Sequence, residues 1–363
     1  MIDNNKVVEA LRNVKDPSTG LDIIKAKLVE DLTIRDNQIN FSIVLSSNDQ
    51  NLKTQLNFAC IEAINTIFPN ADVNIHLKMK SEYVSDQVSA LPQVKNIIAV
   101  ASGKGGVGKS TVSVNLALAL QQLGAKVGIL DADVYGPSIP TMMGVKGERP
   151  RVEVVYGKHK LIPVEAFEIP LMSIGFIVEE EQAVVLRGPR LGGIIRQFIQ
   201  DCFWPELDYL IIDLPPGTGD VQLTLVQTIP ITGAVIVTTP QNIAVIDAVK
   251  AMNMFLLDHV NVPILGVVEN MSWFTPEELP DNKYLLFGEG GGKALAKKAN
   301  TILLGQIPLV QGVMESGESG IPCVVKDGHP GRSYFLRAAE KLIQQVYIRN
   351  ESMEPTRIVN VSS

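Results

Sequence analysis

The chain has 363 residues, of which 46% are hydrophobic and 20% charged, enough to bury the cores of two domains. Its formal charge of −7 provides no field that would draw it to nucleic acid or an anionic membrane. Its first residues, Met1-Ile2-Asp3-Asn4-Asn5-Lys6, lack an apolar signal core, and no run approaches the roughly 18 apolar residues of a membrane span. Cys60, Cys202 and Cys323 lie too far apart in sequence for a disulfide framework and suit a reducing compartment, so a cytoplasmic protein is expected, with no nucleic-acid or membrane partner.

Residues 1–80 read as a small α+β domain. Val7, Val8 and Leu11 make a helical stripe that stops before Asp16-Pro17, and residues 39–45 alternate like a half-buried strand. A helix over about 51–68 places Leu52, Leu56, Ala59, Cys60, Ala63, Ile64 and Ile67 on one face, which makes Cys60 a core thiol. Residues 73–77 close the unit as a strand, and the polar stretch 81–95, with Pro92 near its end, is a linker.

Residues 96–349 alternate between strands and helices. Strands are expected at 97–101, 126–130, 209–213, 234–238, 264–269 and 302–306, mostly separated by helix-length segments. Near-continuous Val/Ile/Leu runs mark strands buried on both faces, which predicts an α/β fold: a mostly parallel, doubly wound sheet with helices on both sides. Ligands then gather at the carboxyl ends of the strands. Residues 350–363 read as a disordered tail.

Between the first of these strands and a helix lies Gly103-Lys104-Gly105-Gly106-Val107-Gly108-Lys109-Ser110-Thr111, which satisfies the phosphate-loop spacing G-x-x-x-x-G-K-[ST]. The glycines let backbone N–H groups wrap a polyphosphate, Lys109 reaches the β- and γ-phosphates, and Ser110 ligates Mg²⁺, so all nine residues are candidates for binding ATP. Lys104 occupies a position where ordinary phosphate loops are indifferent to side chain; the plainer alternative is a solvated surface lysine. Lys-Gly-Gly-Val-Gly-Lys-Ser-Thr resembles the deviant loop of the MinD/ParA/nitrogenase-iron-protein class of ATPases, whose extra lysine reaches the partner subunit's nucleotide. The resemblance implies a catalytic part for Lys104 and a nucleotide-dependent homodimer.

Two acidic segments follow strands, Asp131-Ala132-Asp133 and Ile212-Asp213-Leu214-Pro215-Pro216-Gly217-Thr218-Gly219-Asp220. Phosphoryl transfer to water needs a held Mg²⁺ and a positioned water. Asp213 suits holding the Mg²⁺ shell, Asp133 orienting or activating the attacking water, and Asp131 either supporting the metal shell or capping the turn that follows. Gly217 and Gly219 leave the segment after Asp213 free to change shape with the γ-phosphate.

With Leu-Arg-Gly-Pro at 186–189 and Glu-Asn-Met-Ser at 269–272, these segments look like the Mrp/ApbC iron–sulfur cluster carrier ATPases, over about residues 95–345. The first eighty residues are similar to the small iron–sulfur-assembly-associated domain that often precedes that ATPase, with Asp16-Pro17-x-x-Gly20 as the recognisable piece. The resemblance implies slow ATP hydrolysis, cluster transfer to apoprotein clients or assembly factors, and an adenine site at Asn270 and Pro308; on residue chemistry alone, an Asn amide at a strand's C-terminal end can pair with adenine edges, the plainer alternative being a buried Asn that satisfies a turn. Family members bind a bridging cluster through Cys-x-x-Cys just after Glu-Asn-Met-Ser, whereas this chain reads Trp273-Phe274-Thr275-Pro276-Glu277-Glu278-Leu279-Pro280. The loop Ser46-Ser47-Asn48-Asp49-Gln50 also lacks the cysteine that related small domains often have. Cys202 reads as a packing residue, and Cys323 as a loop residue able to meet its symmetry mate in a dimer. The alternative function is a MinD/ParA-like dimerisation switch that carries no cluster.

Overall fold

The computed structural model describes residues 4–354 apart from 16–20, 27, 36–37, 46–49, 70, 80–90, 92, 134–135, 156, 178–187, 220–221, 224–228, 258–259, 277 and 280–281. The motif pieces at 16–20, 46–49, 186–187 and 220, most of the linker, and residues 355–363 therefore lie outside the described residues. The chain divides into two compact units, Met1–Gln87 and Val88–Ser363.

In the first unit, α1 (Asn4–Leu11) buries Val7, Ala10 and Leu11 completely. A three-stranded sheet runs in the order β1 (Val29–Arg35), β2 (Gln38–Leu45), β3 (Asp72–Met79). β2 and β3 are parallel and joined through α2 (Gln50–Ile67), while β1 pairs antiparallel with β2. The sequence pattern does not reveal β1: its register slips between Glu30 and Thr33, and such an irregularity breaks the period-two alternation that marks a strand. Cys60 is fully buried with Phe41, Ile43, Leu56 and Ile64, and desolvation pushes its thiol up to about 12.

The second unit is built on an eight-stranded sheet. Its strands are β4 (Val94–Ser102), β5 (Val127–Asp131), β8 (Val164–Ala166), β9 (Ile169–Ser173), β10 (Leu207–Asp213), β11 (Gly233–Thr238), β12 (Ile264–Phe274) and β13 (Leu303–Leu309). They lie in the order β13-β12-β11-β4-β10-β5-β9-β8, parallel throughout except for β8 against β9. A separate antiparallel hairpin joins β6 (Arg151–Val155) to β7 (Lys158–Ile162).

Alternate residues of the central strands feed two cores. Ile97, Ala99, Ala101, Leu210 and Ile212 pack with Met252 and Phe255 of α6 (Asn242–Phe255) and Leu295 of α7 (Gly291–Lys298). Ile98, Val100, Ile129 and Ile211 pack with Leu116 and Leu120 of α3 (Lys109–Gln122) and Phe335 and Leu342 of α9 (Arg332–Ser352). Both faces of the sheet are thus helix-covered, as unbroken apolar strands require. The remaining helices are α4 (Ile139–Met142), α5 (Gly188–Asp201) and α8 (Gln311–Glu318).

Several boundaries differ from the sequence reading, among them β4, which begins at Val94 inside the expected 81–95 linker, and β13, which runs to Leu309 rather than 306. β12 continues to Phe274, where its N–H and carbonyl pair with Tyr284 at 2.8 and 2.9 Å. Residues 350–352, expected in the tail, complete α9, because Asn350 Nδ2 donates to Asn96 Oδ1 at 2.9 Å and Arg349 donates to the Glu354 carbonyl. Among the described residues no helix is long and apolar enough to cross a membrane.

Candidate functional site

The phosphate loop leaves β4 against α6. A Cβ on Gly103 would lie 2.0 Å from the backbone carbonyl carbon of Asp247, so the loop approaches that helix more closely than a side chain permits. Gly106 and Gly108 have φ of 79° and 77°, the left-handed region that disfavours other residues. Gly108 is tight on its other side too, since a Cβ there would meet Asn270 Nδ2 at 2.2 Å. Immediately after it α3 begins, its first turn carrying no side-chain cap, so its N–H groups face the concavity of the loop. Gly105 is exposed, Val107 buried and Thr111 half-buried, and Thr111 lends its carbonyl to Asn115 Nδ2 at 2.9 Å. Lys104 is half-buried in the turn, and its carbonyl accepts from Ser102 Oγ at 3.0 Å.

The sheet order brings the acidic groups to this loop. Asp213 ends β10 in register with Asp131, which ends the neighbouring β5. Lys109 Nζ lies 2.7 Å from Asp213 Oδ2 and 3.3 Å from Asp133 Oδ2, and Ser110 Oγ donates to Asp213 Oδ2 at 2.6 Å. Asp131 is fully buried; its Oδ1 accepts from the Asp133 N–H at 3.1 Å and its Oδ2 from Ser173 Oγ at 2.8 Å. Desolvation and then the charge of Asp213 push the Asp131 carboxyl above the usual carboxylate range, against the bonds from Ser173 and Asp133.

Two largely buried carboxylates, Asp133 and Asp213, thus flank one buried ammonium with the buried Asp131 behind them, an imbalance that added positive charge would relieve. This donor set fits Mg²⁺ accompanying a polyphosphate. Among the described residues no three His, Cys, Asp or Glu side chains converge as a direct cage, so the fit is through Ser110 and phosphate oxygens, with carboxylates acting on the metal's waters.

Strand β12 closes the site from the far side. Asn270 is buried and donates from Nδ2 to the Val107 carbonyl at 2.9 Å, clamping the loop. Met271 has φ 55°, and this reversal turns the strand so that Ser272 faces Glu269 while Asn270 faces the loop. Glu269 accepts from Ser272 Oγ at 2.9 Å, Gln306 Nε2 at 2.6 Å and the Gly292 N–H in the first turn of α7. Pro308 is buried on β13 one residue beyond Ile307, the partner of Asn270 in the ladder.

The segment after Asp213 is tied back to the loop. Gly217, with φ 92°, donates to the Ser102 carbonyl at 2.9 Å, and Gln222 Nε2 donates to the carbonyls of Pro215 and Gly217 at 2.7 and 3.1 Å. Gln222 is one of three supporting residues the sequence reading missed. Ser113 bonds Asp213 from one turn past Lys109, an i,i+4 spacing visible in the sequence. Ser173 could not be found that way, because only the pairing of β9 with β5 puts it opposite Asp131.

The thiols correct one expectation. Cys323 is not exposed in a loop able to meet its symmetry mate: it is fully buried in a 3-10 turn (Cys323–Val325), and its Sγ donates to Asn115 Oδ1 at 3.1 Å. Burial pushes this thiol up to about 12 and raises that of Cys202, which packs at the end of α5 as expected. Inert buried thiols, with no cysteine in 273–280, do not fit an iron–sulfur cluster, whose ligands are thiolates.

Comparisons with known proteins agree with this geometry. Residues 93–346 match the family model described as "NUBPL iron-transfer P-loop NTPase", and residues 4–77 match "Iron-sulfur cluster assembly protein". An "Iron-sulfur cluster carrier protein" of Synechocystis sp. is 44% identical over 94% of this chain and 97% of its own. Among solved structures, a nucleotide-binding protein of Archaeoglobus fulgidus in complex with ADP is 39% identical with TM-score 0.57, over 68% of this chain and 94% of that one. The Pyrococcus furiosus cell division ATPase MinD shares the fold, with TM-score 0.51 at 24% identity, over 69% and 99%. With loop, acidic groups and full-length kinship in agreement, the chain belongs to the NUBPL iron-transfer P-loop NTPase family, with an iron–sulfur-assembly domain before it.

Proposed function

We propose that this protein is a slow Mg-ATP-dependent ATPase that carries or helps assemble iron–sulfur clusters for client apoproteins. The observation that carries the reading is the convergence of Lys109, Ser110, Asp133 and Asp213 on a glycine-built loop at a helix N-terminus. In this reading the loop N–H groups and Lys109 hold the β- and γ-phosphates, and Ser110 with Asp213 holds the metal and its waters in place. Mg²⁺ supplies charge neutralisation at the transferring phosphoryl group. Asp133, beside Lys109, orients the attacking water and accepts its proton, while Asp131 supports the metal shell indirectly by fixing the Asp133 backbone. Asn270 reads the adenine with the amide face not used on Val107, and Pro308 lies beside the base. Lys104 reaches the partner's phosphates in an ATP-bound homodimer, which works in the cytoplasm.

The second reading, a dimerisation switch that holds no cluster of its own, is favoured by one observation: all three cysteines are buried. Anaerobic reconstitution with iron and sulfide decides between them, read by metal count and visible spectrum. A stoichiometric cluster supports the carrier reading, and a metal-free chain that still dimerises with ATP supports the switch. The nucleotide part is tested by phosphate release and binding of a fluorescent ATP analogue; a chain showing neither would overturn both.

A further inference from the structure

We propose that Ser113 is a positioning residue for the metal side of the nucleotide site, its hydroxyl fixing the torsion of the Asp213 carboxylate so that the oxygen not bonded to Ser113 faces Ser110; the inference rests on the Mg-ATP reading above. Ser113 is fully buried, and its Oγ lies 2.6 Å from Asp213 Oδ1 and 3.1 Å from the carbonyl of Lys109. A hydroxyl has one proton, and the short contact to the carboxylate takes it, because a hydrogen bond to a carboxylate is the stronger of the two.

The two oxygens of Asp213 are therefore divided. Oδ2 accepts from Lys109 and Ser110, and Oδ1 accepts from Ser113. Lys109 and Ser110 are the groups that phosphate and metal would engage, so their bonds to Asp213 compete with the ligand. Ser113 sits one helical turn further along α3, behind the carboxylate, and its bond does not compete. Terminal carboxylate torsions are broad, so once Lys109 and Ser110 engage phosphate and metal, no other donor in this set holds the plane of the Asp213 carboxylate. With it, Oδ2 stays directed at Ser110 while Lys109 turns to phosphate. Ser113 thus belongs to the metal response of the site rather than to phosphate binding itself.

The test uses the full chain with Ser113→Ala and Ser113→Thr, which removes or keeps the hydroxyl. Affinity for a fluorescent ATP analogue is measured in chelator and across a Mg²⁺ titration, and melting temperature is followed in parallel. Ser113→Ala is expected to bind within about twofold of the parent in chelator but to need about tenfold more Mg²⁺ for half-maximal effect, the scale of one charge-assisted hydrogen bond. Ser113→Thr is expected to return the Mg²⁺ midpoint to within about twofold of the parent. An unchanged midpoint in Ser113→Ala, with or without a lower melting temperature, would overturn the inference alone and leave Ser113 a packing residue. A midpoint equally displaced in both variants would overturn it too. A parent chain that binds no nucleotide would overturn the Mg-ATP reading and this inference together.

Discussion

The loop after β4 and the segment beyond Asn270 on β12, two strands away in the same sheet, are built in opposite ways. Around the loop the central side chains are buried and engaged: Lys109 between two carboxylates, Asp213 with three donors, Asn270 on the loop backbone. Beyond Asn270 the described side chains Leu279, Tyr284, Leu285 and Leu286 stand 42–59% exposed, and Lys283 lies over the Trp273 ring at 4.2 Å. After Asn270 this chain has an aromatic and aliphatic surface, with no cysteine in 273–280. The contrast teaches that nucleotide chemistry and cluster ligation are separable: one requires a wired polar core, and the other has no thiolate here to build on.

The largest expected effect attacks the wired region. Lys109→Ala should reduce affinity for the fluorescent ATP analogue at least 100-fold, because it removes the charge facing the phosphates and leaves buried carboxylates uncompensated. Parent-like affinity in this variant would dissolve the contrast. Asp133→Asn should keep ATP binding but lower phosphate release by about 10²-fold, the usual contribution of a positioned general base. Gly108→Ala should weaken nucleotide binding about tenfold or more, since the new methyl meets Asn270 in a left-handed backbone; parent-like affinity would mean that the clamp is loose.

Smaller effects sharpen the comparison. Asp131→Asn should raise the melting temperature at neutral pH. The folded carboxyl of Asp131 titrates above its ordinary value of 3.8, so the stability its neutral form contributes is complete below 3.8 and is lost as pH rises through the raised value. An uncharged amide escapes that loss, so the gain over the parent should grow from pH 4 upward and vanish at lower pH; a pH-independent difference would reject the account. Smallest of all, Cys323→Ser should leave iron content after anaerobic reconstitution unchanged and cost about 1 kcal/mol in denaturant melts, the scale of one buried contact. Loss of iron in that variant would place a ligand where the structure puts a core thiol.

Much of this site is written along the chain. The loop, Asp131, Asp133 and Asp213 are each announced by local context, a glycine-rich turn or an acidic residue closing an apolar strand, because strand and phosphate-loop signals act over a few neighbouring residues. The six strands read from Val/Ile/Leu runs all exist, whereas β1 and β9 were hidden by an irregular register and a short mixed composition. Ser173 and the clamp of Asn270 on Val107 were also invisible, since each depends on a partner 42 and 163 residues away.

By itself, then, the amino-acid order determined six of the eight strands of the large sheet, the phosphate loop and the absence of a Cys-x-x-Cys, all of which follow from residue type and short spacing. Only the tertiary structure decided that Cys323 is sealed against Asn115 and that Asp213 is held from behind by Ser113. It also decided that one lysine serves two carboxylates. Burial and hydrogen-bond partnership are properties of strand order and helix packing, and no local pattern encodes them.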